Sequence, residues 1–121
     1  MVKALFDTNI LIDYLNGIEQ AEQEFARHDD LSISVITWME VMVGSTPDND
    51  DTLRAWLAQF TIFPLDERIS DIAVALRKKY RMRLPDAIIW ATAQADRRIL
   101  VTRNSKDFPE QEPGIRIPYR I

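Results

Sequence analysis

Residues 2–15 read VKALFDTNILIDYL, and they contain a strand pattern followed by a helix pattern, an order of elements that recurs along the chain. Val2 to Phe6 is a short apolar run of the kind that forms a buried strand, and the residues after Asp7 place apolar side chains on one face of a helix. A strand followed directly by a helix is the first half of an α/β unit. Asp7 stands at the junction, where a carboxylate either caps the helix or belongs to a site at the end of the strand.

Strand and helix patterns alternate along the remaining sequence. Further strand-like segments occur at 31–36, 61–65, 98–102 and 115–117. Apolar residues at helical spacing separate them over 8–16, 18–27, 37–44, 51–60, 68–80 and 85–97. We therefore expect one α/β domain over residues 1–121, with a mainly parallel central sheet of four to five strands and helices on both faces.

Composition excludes several classes of protein. Hydrophobic residues make up 46% of the 121, which is enough for a real core. The chain has no cysteine, so a disulfide framework, a thiolate nucleophile and a cysteine zinc site are excluded. No apolar run reaches the roughly 18 residues that a membrane span needs. We expect a cytoplasmic protein that does not bind membranes.

Charge is distributed unevenly along the chain. Residues 1–60 carry 11 acidic and 3 basic side chains, whereas residues 61–121 carry 8 acidic and 12 basic ones. The basic residues are densest in one segment, which contains Arg77, Lys78, Lys79, Arg81 and Arg83. A local basic patch can hold a phosphate backbone, and the alternative is an ordinary solvated helix face.

Four further polar residues share the unusual position of Asp7. Glu40 lies in TWMEVMVG among apolar neighbours, and Asp86 lies in the first turn of the apolar helix LPDAIIWATA. Asn104 and Asp107 follow the strand ILVT. Each has a plain structural explanation: a helix cap for Asp7, a favourable helix dipole for Asp86, an ion pair for Glu40 and a turn for the last two.

These five polar residues together indicate a functional site more strongly than any one of them does, because the carboxyl ends of parallel strands lie at one edge of a sheet and would bring the residues together. Clustered carboxylates repel one another, and oxygen ligands suit Mg²⁺ or Mn²⁺. Such ions activate water for phosphodiester cleavage, which would leave a 5′-phosphate and a 3′-hydroxyl. His28 is the only histidine and is expected to be solvated, so a two-histidine ribonuclease mechanism is excluded. No nucleotide-binding glycine loop is present either.

Four segments together resemble a known family. LFDTNILIDYL, SVITWMEVMVG, LPDAIIWATA and ILVTRNSKDF are similar, in order, to the four signature segments of PIN-domain ribonucleases, most of all the VapC-type toxins of bacterial toxin–antitoxin pairs. The resemblance runs from Val2 to Phe108. It implies a metal-dependent endoribonuclease that cuts transfer or ribosomal RNA, forms a homodimer and is held inactive by a small antitoxin protein.

The resemblance also implies roles for individual residues. Asp7, Glu40 and Asp86 match the three most regular acids of the family, and Thr8 and Thr102 match its hydroxyl positions. The fourth acid often falls where this chain has Asn104. We therefore expect Asp7, Glu40, Asp86 and Asp107 as metal ligands, with Asn104 as the alternative to Asp107.

Two other functions fit parts of the sequence. A receiver-type phosphorylation switch would use Asp7, Asp66 and Lys106, but it leaves Glu40 and Asp86 unexplained. A PIN-like domain that binds RNA or a protein without cutting is favoured only by the amide at Asn104.

Overall fold

The computed structural model describes residues 2–121. Five short strands occur in it: β1 (Ala4–Phe6), β2 (Ser32–Ser34), β3 (Thr61–Phe63), β4 (Ile99–Val101) and β5 (Ile115–Arg116). Every pairing is parallel, with β4 between β1 and β5, and β2 paired with β3. β1 also packs beside β2, which gives the spatial order 3-2-1-4-5. The expected parallel sheet is confirmed, although its strands form two hydrogen-bonded sets.

Six helices connect these strands. They are α1 (Thr8–Leu15), α2 (Glu19–Ala26), α3 (Val35–Val43), α4 (Asp50–Leu57), α5 (Glu67–Tyr80) and α6 (Leu84–Ala95). All correspond to predicted helices, with small shifts at their ends. The predicted boundary between β2 and α3 was wrong, because Val35 and Ile36 are helical and not part of the strand. The Ser34 hydroxyl accepts a hydrogen bond from the Ile36 N–H, and this cap begins the helix early.

The central strands are buried on both faces, which is why they read as continuous apolar runs. Leu5 and Leu100 face a core cluster with α5 and α6. Their neighbours Phe6 and Val101 face the opposite cluster, which includes Ile10 of α1 and residues of α2 and α4. This alternation separates two cores across one sheet. Helices on both faces of the sheet are thus confirmed.

Helix α3 is less buried than its sequence indicated. Val41 is fully buried, and Trp38 and Met42 are partly buried against the same core, whereas Met39 is 45% and Val43 85% exposed. A single helical stripe packs against the sheet, and the other side chains face outward. The expectation that apolar neighbours enclose Glu40 was therefore wrong, because Glu40 is exposed.

None of the helices in the described part of the chain combines the length and the apolar character that crossing a membrane requires.

Candidate active site

The carboxyl ends of β1 and β4 lie side by side, because these strands pair in parallel register. Asp7 follows β1, and Thr102 and Asn104 follow β4. Asp86 enters from the first turn of α6, and Glu40 enters from α3. A pocket of about 330 Å³ at this edge is lined by Asp7, Thr8, Asn9, Ile12, Glu40, Arg83, Asp86, Arg103 and Asn104. The structure therefore brings the three matched acids into one pocket.

Asp7 both caps a helix and contributes to the pocket. One carboxylate oxygen accepts from the Thr8 backbone N–H at 2.7 Å. The other accepts from the Thr102 hydroxyl at 2.7 Å and from the Asn9 amide at 3.1 Å. The pKa of Asp7 is raised to about 6: burial is the largest cause, the nearby carboxylates of Asp86 and Glu40 add to it, and the hydrogen bonds from Thr102 and Thr8 oppose it.

The Thr8 hydroxyl connects α1 to α3. It donates to the Glu40 carboxylate at 2.6 Å and lies 3.0 Å from the hydroxyl of Thr37, which is fully buried. Glu40 is thus oriented by a hydroxyl next to Asp7, and it makes no ion pair with any of residues 2–121. Thr102 has no exposed surface and acts from behind Asp7. Both hydroxyl positions taken from the family resemblance contact a pocket carboxylate.

Asp86 is 6% exposed and pairs with Arg83, whose guanidinium Nε lies 3.3 Å from the carboxylate. Burial raises the pKa of Asp86, and the Arg83 charge partly offsets this effect. A buried acid with a raised pKa in a pocket of other acids is the electrostatic situation that a divalent cation relieves.

Asn104 and Asp107 occupy different places. Asn104 lines the pocket, whereas Asp107 is exposed and outside the set of lining residues. Their side chains are joined, since the Asn104 amide donates to Asp107 at 2.8 Å and accepts from the Asp107 backbone N–H at 3.1 Å. Asp107 is nevertheless near enough to raise the pKa of Asp86.

The predicted basic patch divides into two parts. Arg83 lies in the acidic pocket, whereas Arg77, Lys78 and Arg81 line a separate surface pocket with Val74 and Leu84. The break occurs at Arg81, which ends α5 with a left-handed φ of 56°. Nearness in sequence therefore did not place these five side chains on one surface.

The donors of the pocket suit Mg²⁺ or Mn²⁺ in type, since they are carboxylate, amide and hydroxyl oxygens. Within residues 2–121, however, no three acidic or histidine side chains lie close enough together to hold one ion. Glu40 is turned toward Thr8 and Asp86 toward Arg83. The residues thus fit the cation chemically, and these two carboxylates would have to turn from their present partners to share it.

Sequence reasoning missed three residues of the pocket wall, the apolar Ile12 and the polar Asn9 and Arg103. Asn9 donates to Asp7 and also accepts from the Arg103 backbone N–H at 3.1 Å. Arg103 in turn pairs with Asp13, which lies outside the pocket. The DTN tripeptide contained a signal for Asn9, because an amide beside a candidate ligand is a candidate itself. No local feature distinguished Arg103 from other basic residues.

The PIN domain family model matches residues 4–111. Comparison with curated proteins gave no match. A toxin–antitoxin complex from Klebsiella pneumoniae contains a chain that is 47% identical, with a TM-score of 0.93 over 98% of this chain and 100% of that one.

Two more distant structures share the fold. One is VapBC from Salmonella typhimurium bound to DNA, with 24% identity and a TM-score of 0.76 over 96% of both chains. The other is VapBC2 from Rickettsia felis bound to promoter DNA, with 22% identity and a TM-score of 0.74 over 95% of this chain and 96% of that one. The resemblance inferred from the four sequence segments is thereby confirmed: the chain belongs to the PIN domain family and resembles its VapC-type members.

Proposed function

We propose that this protein is a Mg²⁺-dependent endoribonuclease, with Mn²⁺ as an alternative cation, and the toxin of a toxin–antitoxin pair. The main observation in support of this proposal is the pocket at the carboxyl edge of the sheet, which buried Asp7 lines together with Asp86 and Glu40. Membership of the PIN domain family and the 47% identical chain of a toxin–antitoxin complex support the proposal. We extend it to the whole chain, residues 1–121, as one nuclease domain.

In this proposal Asp7, Glu40 and Asp86 hold the cation, and Asn104 or Asp107 completes the site. When bound, the cation activates water and offsets charge on the cleaved phosphate. Thr102 and Asn9 orient Asp7 through their hydrogen bonds, and Thr8 orients Glu40. The products would be a 5′-phosphate and a 3′-hydroxyl.

The partners in this proposal are structured RNA of the transfer or ribosomal class, a small antitoxin and a second copy of the chain, all in the cytoplasm. The pocket supports one mode of inhibition. Arg83 already pairs with Asp86 there, so a guanidinium fits among these carboxylates. A basic side chain of the antitoxin would compete with the cation, and excess Mg²⁺ or Mn²⁺ should weaken the inhibition.

Asp7→Asn tests the proposal, because it removes the charge of a ligand and keeps the cap, Asn being about as good a cap as Asp. We expect purified wild-type protein to cut transfer RNA with Mg²⁺ or Mn²⁺, to stop in EDTA and to leave 5′-phosphate ends. The variant should retain its fold and lose cleavage. Asp66→Asn is the matched control, because Asp66 caps α5 outside the pocket. Cleavage by Asp7→Asn at the wild-type rate would refute the metal site, and 2′,3′-cyclic phosphate ends would refute the mechanism.

A PIN-like domain that binds RNA without cutting is the second candidate, and the amide of Asn104 in the pocket favours it. It predicts that wild-type protein binds transfer RNA and leaves it intact at every Mg²⁺ and Mn²⁺ concentration. Asn104→Asp would then be expected to introduce cleavage.

A further inference from the structure

The guanidinium of Arg103, which lines the acidic pocket, is held in a two-pronged ion pair. Its Nε donates to one oxygen of the Asp13 carboxylate at 2.6 Å, and its Nη2 donates to the other oxygen at 2.9 Å. The Tyr119 hydroxyl donates to the same carboxylate at 2.8 Å. Asp13 is only 4% exposed, so this carboxylate is fixed inside the protein. The pair is two-pronged, and two parallel N–H donations orient an arginine more strongly than one.

A second attachment fixes the backbone of Arg103. Its N–H donates to Asn9 at 3.1 Å, and the Asn9 amide donates to Asp7 at 3.1 Å. Asn9 and Asp13 are four residues apart in α1 and therefore lie on the same face of the helix. Main chain and side chain of Arg103 are thus both tied to α1, at a fixed place relative to Asp7.

The guanidinium remains available to a ligand. Arg103 lines the acidic pocket, and about 35% of its side chain is exposed. Arginine has five N–H groups, of which two are used on Asp13. Arg83, the other cation of the pocket, is engaged by one of the site carboxylates. Arg103 is instead held by an acid that is not part of the pocket wall.

We propose that Arg103 is a preoriented phosphate-binding residue that holds the RNA strand beside the cleaved bond, with Asp13 and Tyr119 as its positioning residues. The inference rests on the proposed function. Orienting the guanidinium before binding removes the cost of ordering a long side chain. Binding to a phosphate that does not react is the same in the ground and transition states, so removing it raises KM and leaves kcat nearly unchanged.

Arg116 offers a matched control. It makes an equivalent two-pronged pair with Glu24, with both distances 2.9 Å, and its side chain is 34% exposed. Glu24 is as buried as Asp13, and Arg116 is not among the residues of the acidic pocket. Arg103→Gln and Arg116→Gln remove the same charge and the same kind of ion pair. Their effects on folding should be similar, and their effects on RNA binding should differ.

The experiment measures binding of labelled bulk transfer RNA over a series of salt concentrations, with Asp7→Asn present in every protein to prevent cleavage. We expect Arg103→Gln to weaken binding about tenfold or more and to reduce the salt slope by about one. Arg116→Gln should leave both unchanged. In the cleavage-competent protein, Arg103→Gln should raise KM by a similar factor with kcat retained.

Asp13→Asn gives a test whose sign separates positioning from net charge. It removes a negative charge, so electrostatic attraction alone predicts tighter RNA binding. We expect weaker binding, by about fivefold, because the guanidinium loses its anchor. Arg103→Lys should keep the salt slope and lose part of the affinity, since it keeps the charge without the two-pronged geometry.

The outcomes distinguish this inference from the proposed function. If the Asp7→Asn protein binds neither bulk transfer RNA nor ribosomal RNA, the proposed RNA substrate is wrong, and the inference about Arg103 is refuted with it. If it binds and Arg103→Gln matches Arg116→Gln in affinity and salt slope, Arg103 is a structural ion pair only and the inference is refuted. Tighter binding by Asp13→Asn would refute the positioning role.

Discussion

Asp7 is costly to the fold and lies in the wall of the candidate site. Three donors satisfy its carboxylate, yet burial still raises its pKa to about 6. Desolvation of the charged form outweighs these hydrogen bonds. A purely structural cap at the same place would be better served by a neutral amide, which carries no such penalty. Asp7 carries a negative charge that a helix cap does not need, and a residue that binds a cation does need it.

This cost predicts how the stability of the metal-free protein depends on pH. The pKa of Asp7 is about 6 in the folded state and 3.8 ordinarily, so the folded state binds the proton more tightly. The stabilisation is complete below pH 3.8 and is lost as the pH rises through about 6. Two pKa units correspond to roughly 3 kcal/mol. In EDTA, urea unfolding should show Asp7→Asn gaining stability over the wild type by up to about that amount between pH 4 and pH 7.

Glu24 and Asp30 have lowered pKa values, so their contributions to stability change with pH in the opposite direction. Both residues are present in the wild type and in Asp7→Asn, so their contributions cancel and the difference in stability between the two proteins reports Asp7 alone. A constant stability difference between pH 4 and pH 7 would contradict the assignment. Saturating Mg²⁺ should stabilise the wild type and not the variant if Asp7 is a ligand.

At the scale of elements, α5 has a well-defined start. The Asp66 carboxylate accepts from the Ile69 N–H at 2.8 Å and caps the helix. It follows the edge strand β3 and is not among the pocket residues. The receiver-type alternative assigned Asp66 as a phosphorylated residue, whereas the structure gives it a local helix contact.

Substitutions at Asp66 should therefore affect stability alone. Asp66→Ala should lower the free energy of unfolding by about 1 kcal/mol, and Asp66→Asn should change it by a few tenths. RNA cleavage should match the wild type in both variants. Labelling of Asp66 by a phosphoryl donor, or loss of cleavage in Asp66→Asn, would contradict this.

The loop after β4 contains the least regular part of the site. Asn104 faces the pocket and holds Asp107 through two hydrogen bonds. We expect Asn104→Asp to tighten Mn²⁺ binding, because hard cations favour charged oxygen ligands. The same change sets two carboxylates against each other, so the metal-free protein should lose about 1 kcal/mol of stability. Titration calorimetry with Mn²⁺ measures the first effect, and urea unfolding the second.

Asp107→Asn is the counterpart in this loop. If Asp107 is a ligand, that variant should bind Mn²⁺ more weakly and cleave more slowly, and Asn104→Asp should change little. Unchanged Mn²⁺ affinity in both variants would exclude the loop from the metal site.

At the scale of the whole molecule, part of the basic segment lies apart from the acidic pocket. The acidic pocket lies at the carboxyl edge of the sheet, while Lys78 and Arg81 belong to the separate surface at the end of α5. RNA that reaches the pocket across this surface would contact its phosphates without regard to sequence. The alternative remains a solvated helix face.

A charge-neutral triple variant tests this surface: Arg77→Gln, Lys78→Gln and Arg81→Gln. We expect weaker binding of transfer RNA and a salt slope smaller by about one for each phosphate that the variant no longer binds, with Mn²⁺ affinity unchanged. The control removes equal charge elsewhere through Arg27→Gln, Arg54→Gln and Arg120→Gln. Equal effects of the two triple variants would mean that net charge acts and the surface does not.

The order of elements and the nature of the site residues could be predicted from the sequence alone. Period 2 and period 3.6 in apolar residues are local signals. Parallel pairing from β1 to β4 follows because at least one helix separates each of these strands from the next, whereas β4 and β5 pair in parallel across residues 102–114, which contain no helix. Asp7 could be expected at this edge because parallel strands bring their carboxyl ends together, whereas Glu40 and Asp86 joined it as candidates through the resemblance of their segments to the family. These predictions needed no knowledge of how the helices pack.

Tertiary structure decided which faces are buried and which distant residues meet. Glu40 proved exposed, because a nine-residue helix buries only the stripe that the sheet selects. The basic segment divided because Arg81 turns the chain between α5 and α6. Asp13 and Arg103 are 90 positions apart, and neither has neighbours that indicate the other. Such pairing depends on the three-dimensional register of β1 and β4, which brings α1 against the loop after β4, and no periodicity of the chain encodes it.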